Sequence, residues 1–257
     1  MRRSPDPEGS GPLKRIPVRH RVGVFTVSVV AFLGAASGAT PSPQTTNGVP
    51  GCAPQCLPPH LSVPGNLPTS KYKTEYFFGG QMTLLFAKGW ESGEDSTGEF
   101  NAWAKRNPGS RVVFWEDAYA TKPGSLQRVG SPRRTAASLL AWLRSNPNLT
   151  VSKPTTGKIG TLRASVVDIG VADGAINDDP TCPAKACANF LGYPQWGEPY
   201  GIAGKSVSRF YLADVRYGGK RHLFVAVIEA TGASQLKAFL PEARKLIASV
   251  RVPASSA

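Results

Sequence analysis

The alternation of apolar and polar residues predicts β-strands over much of the chain after residue 70. Residues 207–215 and 223–230 form the best predicted hairpin, because Gly218-Gly219 between them suits a tight turn. A second hairpin joins residues 99–104 to 111–116 through an Asn-Pro-Gly turn. Shorter extended segments are predicted at residues 71–78, 82–86, 149–152, 158–162, 163–171 and 250–252.

Two segments instead carry the period of an amphipathic helix. In residues 135–145, leucines form an apolar face, Thr135 can cap the start, and Asn146-Pro147 ends the helix. The last helix repeats apolar residues at helical spacing from Leu236 to Ile247, and Pro241 is expected in its first turns, where proline is tolerated.

This order of elements predicts the α+β class, in which an antiparallel sheet carries two main helices packed on it. Residues 71–253 form the single predicted α+β domain. Proline is dense in residues 40–70, which are therefore expected to be an extended linker rather than a helix or a paired strand.

Residues 1–39 have the pattern of an export signal. A basic stretch to Arg21 precedes an uncharged apolar run over 22–39, and Ser37 and Ala39 are small residues suited to signal peptidase. The predicted location is therefore secreted or at the cell surface. Two alternatives remain: an uncleaved single-pass anchor at 22–39 with the domain outside, and a lipid anchor at Cys52, whose preceding residues loosely match a lipobox.

The chain is basic, with 30 Lys and Arg against 17 Asp and Glu and a formal net charge of +13. These charges are spread along the sequence, so no nucleic acid partner is predicted. The expected partners are an unknown envelope protein, an anionic cell-envelope polymer or lipid headgroups, with membrane attachment only through the N-terminal segment.

The four cysteines form two local pairs, Cys52 with Cys56 and Cys182 with Cys187. An even number at short spacing in an exported chain predicts two disulfides rather than a metal site. Neither pair has the Cys-x-x-Cys spacing of a zinc ligand set.

The sequence predicts no catalytic, cofactor-binding or metal site. It lacks a nucleophile elbow, a phosphate-binding loop and a dinucleotide fingerprint. After the export signal, only His60 and His222 could act as histidine bases, and neither lies in a recognisable catalytic pattern.

The predicted binding surface lies in a long loop over residues 173–204. Tyr193, Trp196 and Tyr200 are interleaved with Gly and Pro, a composition typical of rigid contact surfaces. The alternative is that these rings cover an open face of the sheet. Around the last hairpin turn, a small basic patch, which could contact anionic polymer or headgroups, consists of Arg216, Lys220 and Arg221.

Three stretches, residues 76–100, 135–149 and 236–252, resemble exported actinobacterial proteins of uncharacterised function. The order of elements is also similar to the PsbP/LpqN-type α/β sandwich. That resemblance implies binding and accessory roles rather than catalysis. The predicted function is an exported, non-catalytic binding or accessory module; the alternatives are an extracytoplasmic enzyme with an unrecognised site and a charge-based binder of anionic envelope polymers.

Overall fold

The computed structural model describes residues 69–122, 128–129, 135–175, 186–193 and 199–252. Every described residue belongs to Gly48–Ala257, the second of the two units into which the chain divides. The predicted export signal and nearly all of the Pro-rich linker lie outside the described ranges. Within the described ranges, no helix is long and apolar enough to cross a membrane.

The described part of the second unit contains thirteen strands and two helices. The strands are β1 Ser70–Lys73, β2 Thr83–Phe86, β3 Trp90–Asp95, β4 Glu99–Ala104, β5 Arg111–Glu116, β6 Tyr119–Ala120, β7 Leu149–Val151, β8 Thr155–Ile159, β9 Leu162–Val171, β10 Cys187–Gly192, β11 Tyr200–Ala203, β12 Val207–Tyr217 and β13 Lys220–Ala230. The helices are α1 Ala136–Ser145 and α2 Ala233–Ser249.

Eight strands form a central antiparallel sheet in the order β3-β4-β5-β13-β12-β9-β7, with β8 also paired to β9. The predicted hairpin at its centre is confirmed, since β12 and β13 pair continuously from Val207 with Ala230 to Tyr217 with Lys220. Gly218 and Gly219 have φ of 54° and 73°, the left-handed conformation that a two-residue hairpin turn requires. Two smaller sheets, β1-β2 and β11-β10-β6, complete the strand pairing.

Both faces of the central sheet are covered, because alternate side chains of its strands enter two different cores. Phe114 and Phe224 belong to the first core, which also contains α2 and the β1-β2 hairpin. Val113 and Val225, the next residues along the same strands, belong to the second core, which contains α1 and the β11-β10-β6 sheet. The two helices therefore lie on opposite faces.

Helix α1 confirms its predicted bounds. Thr135 is the N-cap, and its side chain accepts a hydrogen bond from the backbone N–H of Ser138, whose own hydroxyl accepts one from the backbone N–H of Thr135. Asn146 is the C-cap. Helix α2 is also present, but the expectation for Pro241 is wrong: the helix begins at Ala233, so the proline lies in its middle.

The predicted fold class is wrong. The domain is mostly β, with one large antiparallel sheet and two small ones, rather than an α+β sandwich of two helices on a sheet. The predicted loop over 173–204 contains β10 and β11, and β3 is a strand that the sequence pattern did not predict. Each helix shares its face of the central sheet with additional strands, so strand packing accounts for much of both cores.

Candidate functional site

The aromatic residues predicted to form a contact surface are buried where the structure describes them. Tyr193 is 2% exposed and Tyr200 is 7% exposed, while Trp196 lies outside the described residues. The Trp115 ring stacks on Tyr193 at 5.6 Å and meets Tyr200 edge-on at 4.6 Å. Both tyrosines therefore belong to the second core and cover that face of the central sheet. The prediction of an exposed surface is wrong for them.

These rings lie against a polar network that the sequence did not reveal. The carboxylate of Glu99, which is buried, accepts hydrogen bonds from Trp115 Nε1 at 3.0 Å and from Asn101 Nδ2 at 2.7 Å. Arg111 forms an ion pair with Glu229 on a neighbouring strand. Because buried polar groups need partners, this network stabilises and orients the aromatic cover rather than forming an open site.

The predicted basic patch at the hairpin turn is divided between two faces. Arg216, Lys220 and Arg221 are all exposed, as expected. However, Arg216 is the register partner of Arg221, whereas Lys220 pairs with Tyr217. Side chains alternate along a strand, so the two arginines and the lysine lie on opposite faces of the hairpin and do not form one patch.

Cys187, at the start of β10, takes part in a disulfide. Its partner lies outside the described residues, as do Cys52, Cys56 and Cys182. The pairings Cys52–Cys56 and Cys182–Cys187 therefore stay predictions.

A basic groove, which no sequence motif indicates, is the candidate site. It has a volume of about 500 Å³ and is lined by β8, the middle of β9, the start of β12 and the C-terminal part of α2. Its charged lining consists of Lys153, Lys158, Arg209 and Arg244 with a single carboxylate, Asp168. The formal charge of this lining is therefore strongly positive.

The groove's cations differ in how they are held. Lys153, Lys158 and Arg244 are exposed, and no carboxylate in the described part of the chain pairs with them. Arg209 is instead fixed by a bidentate pair with Asp168, with Nε–Oδ1 at 2.6 Å and Nη2–Oδ2 at 2.7 Å. The hydrogen bonds to Asp168 raise the pKa of Arg209, although burial opposes the rise.

The shape of the groove depends on a glycine. Gly157, in β8, lies directly over Tyr211 and Val166, and a Cβ at this position would lie 2.5 Å from Val166 Cγ2. Because Gly157 has no side chain, β8 can pair with β9 while the Val166 and Tyr211 side chains occupy the space that a Cβ would fill. Hydroxyl groups of Ser152, Thr155 and Thr156 line the same edge and add hydrogen-bonding capacity beside the cations.

An anion bound here would meet one guanidinium with a set orientation and three exposed cations. An arginine has five N–H donors, of which Asp168 accepts from two nitrogens and Tyr211 makes one further hydrogen bond, so part of the Arg209 guanidinium remains available. The long side chains of the exposed cations can follow charges spaced along a ligand. The lining is too polar for a typical pocket that binds an apolar small molecule.

No family model and no curated protein matches this chain. Among solved structures, it is similar to a crystal structure from Bacteroides thetaiotaomicron VPI-5482, with a TM-score of 0.36 and 12% identity. The match covers 74% of this chain and 51% of that chain, so this chain spans about half of the other protein's length.

Proposed function

We propose that the domain is a non-catalytic binding module that holds an anionic polymer of the cell envelope in the basic groove. The export pattern of residues 1–39 supports a location outside the cytoplasm. The observation that carries the proposal is the lining of the groove, where four cations and neighbouring hydroxyls surround one carboxylate that is already paired.

A polymer fits this site better than a small anion. Three of the four cations are exposed, and an exposed charge pair contributes only about 0–1 kcal/mol because water screens it. Useful affinity therefore requires several charges on one ligand that bind at the same time. The groove is open along an edge of the central sheet, formed by β8, so an extended chain can lie in it.

The test is binding of fluorescently labelled polyphosphate, followed by anisotropy at low ionic strength. The triple variant Lys153→Gln, Lys158→Gln and Arg244→Gln should bind at least tenfold more weakly than the wild type. The salt dependence of the affinity should also become shallower, since fewer charges take part in binding.

The matched control removes the same charge elsewhere, through Lys71→Gln, Lys88→Gln and Arg144→Gln. All three residues are exposed and none lines the groove. This variant should keep its affinity to within about threefold, because distant surface charges act only through the screened overall field. Equal weakening by both triple variants would show that net charge alone attracts the polymer, and the proposed site would be wrong.

A further inference from the structure

A second cluster lies at the opposite end of β5 from the Asn-Pro-Gly turn that precedes the strand. Glu116 is the last residue of β5, Asp117 follows it, and His222 is near the start of β13. One ligand atom from each residue lies within 4.8 Å of the other two. His222 Nδ1 is 2.9 Å from Glu116 Oε1 and 3.2 Å from Asp117 Oδ2. Among the described residues, these three are the metal-ligating side chains whose ligand atoms come this close together.

The backbone holds the two carboxylates in place. Asp117 has φ of 55°, a left-handed conformation that is uncommon for a residue with a side chain, and its N–H donates to the carbonyl of Leu223 at 2.8 Å. The N–H of Leu223 donates back to Asp117 Oδ1 at 3.1 Å, while Oδ2 faces His222. The backbone N–H of Phe78 hydrogen-bonds to Glu116. Such outer hydrogen bonds orient ligands in metal sites.

The donor set of the cluster suits a divalent cation. Glu116 and Asp117 offer carboxylate oxygens, and His222 offers an imidazole nitrogen. A metal ion binds carboxylates in their ionised form and imidazole in its neutral form, so a bound divalent ion would balance the charge of its two carboxylate ligands.

The spacing also fits a tetrahedral ion. Ligand atoms about 2.0–2.1 Å from zinc are about 3.3 Å apart, close to the two distances measured from His222 Nδ1. The three side chains are 14–16% exposed, so one side of the cluster is open to solvent. On the other side, the Tyr217 ring packs against His222 at a centroid distance of 5.9 Å and against Phe78 at 6.0 Å.

We propose that Glu116, Asp117 and His222 bind one divalent transition-metal ion, for which zinc is the best match, and leave a coordination position open to solvent. Imidazole nitrogen and carboxylate oxygen are ligands that zinc accepts, and three protein ligands with an open position are a known zinc arrangement. The site is independent of the basic groove, with which it shares no residue.

The test is a zinc titration of the full-length, disulfide-intact protein after chelator treatment, followed by calorimetry. The wild type should bind one zinc ion per chain at this site and its melting temperature should rise with zinc, because a ligand that binds the folded state stabilises it. His222→Gln should lower the affinity at least tenfold and abolish the rise in melting temperature. Glu116→Gln is the second variant, with the same expected loss, in case the first does not fold.

His60→Gln is the matched control, because it removes a histidine outside the cluster. It should bind zinc as the wild type does. The proposal is overturned if wild type binds no zinc, if His222→Gln and Glu116→Gln bind as tightly as wild type, or if only His60→Gln loses binding. It is also overturned if His222→Gln changes the pH dependence of stability but no zinc response exists, since His222 would then be only an imidazolium partner of the two carboxylates.

Discussion

At the scale of single residues, burial changes the chemistry of two tyrosines. Burial raises the pKa of Tyr193 and of Tyr200 above the ordinary value of 10.0, and the nearby carboxylates of Glu99 and Glu229, respectively, add to the rise. Above pH 10.0 the unfolded chain therefore releases phenolic protons that the folded chain retains. The stability that these groups contribute is complete below that pH and is lost as the pH rises beyond it.

The variant carrying Tyr193→Phe and Tyr200→Phe should show a smaller alkaline loss of stability than wild type. At neutral pH it should be less stable by about 1–3 kcal/mol, because Tyr200 loses its hydrogen bond with Ser208 and Tyr193 loses its hydroxyl beside Glu99. Urea unfolding at about pH 8 and about pH 11 measures both effects.

The matched control is Phe190→Leu, which loosens the same core without removing a titrating group. It should lower stability and keep the wild-type pH dependence. An unchanged alkaline loss in the double tyrosine variant would contradict the burial of these rings.

At the scale of elements, α2 contains a proline that it would be more stable without. Pro241 lies in the middle of the helix and is exposed, so its ring removes a backbone hydrogen bond without filling the core. Proline is about 3 kcal/mol less favourable than alanine inside a helix, partly offset by the entropy that it removes from the unfolded chain. Pro241→Ala should therefore raise the free energy of unfolding by about 1–2 kcal/mol in urea denaturation. Lys245→Ala, at another exposed position of α2, should change it by less than about 0.5 kcal/mol. A destabilised Pro241→Ala protein would mean that α2 has adapted to the ring.

Elements with strong local signals could be predicted from the sequence. Thr135 caps α1, and Gly218-Gly219 turns the central hairpin, because each of these conformations depends on the residues at the position itself. Strands whose stability comes from distant partners could not be predicted. The composition of β3 is typical of a loop. It forms a strand because it pairs with the neighbouring strand β4, whose Trp103 ring lies over Gly93, a residue without a side chain.

Dependence on distant partners also explains why β10 and β11 could not be predicted from the sequence. Their segment is rich in aromatic residues, Gly and Pro, which favours an exposed loop when it is considered alone. In the folded chain, every residue of β10 is buried, and the strand pairs with β11 on one side and β6 on the other. The open face of the central sheet requires a cover, and this requirement is not visible in the local sequence.

At the scale of the whole molecule, both candidate sites depend on contacts between distant parts of the chain. Lys153 and Lys158 are close in sequence, but Arg209 and Arg244 reach the groove only because β12 lies beside β9 and α2 crosses the same face. Glu116 and His222 meet because β5 pairs with β13. Neither arrangement follows a sequence motif, so composition and spacing could indicate a basic protein but not where its charges converge.

The central sheet should also make the two cores unfold together. Adjacent residues of β5, β12 and β13 enter opposite cores, so the same strands contribute to both cores. We therefore expect that a loss of order in these strands on one side also opens the core on the other side. Leu143 of α1 is fully buried in the second core, and Leu143→Ala should cost about 2–5 kcal/mol. Hydrogen exchange measured by mass spectrometry should then show equal losses of protection in peptides from α1 and from α2, although α2 belongs to the first core. Arg144→Ala, at the exposed neighbouring position, should leave both unchanged. A loss confined to α1 would show that the second core opens independently while the sheet and α2 remain folded.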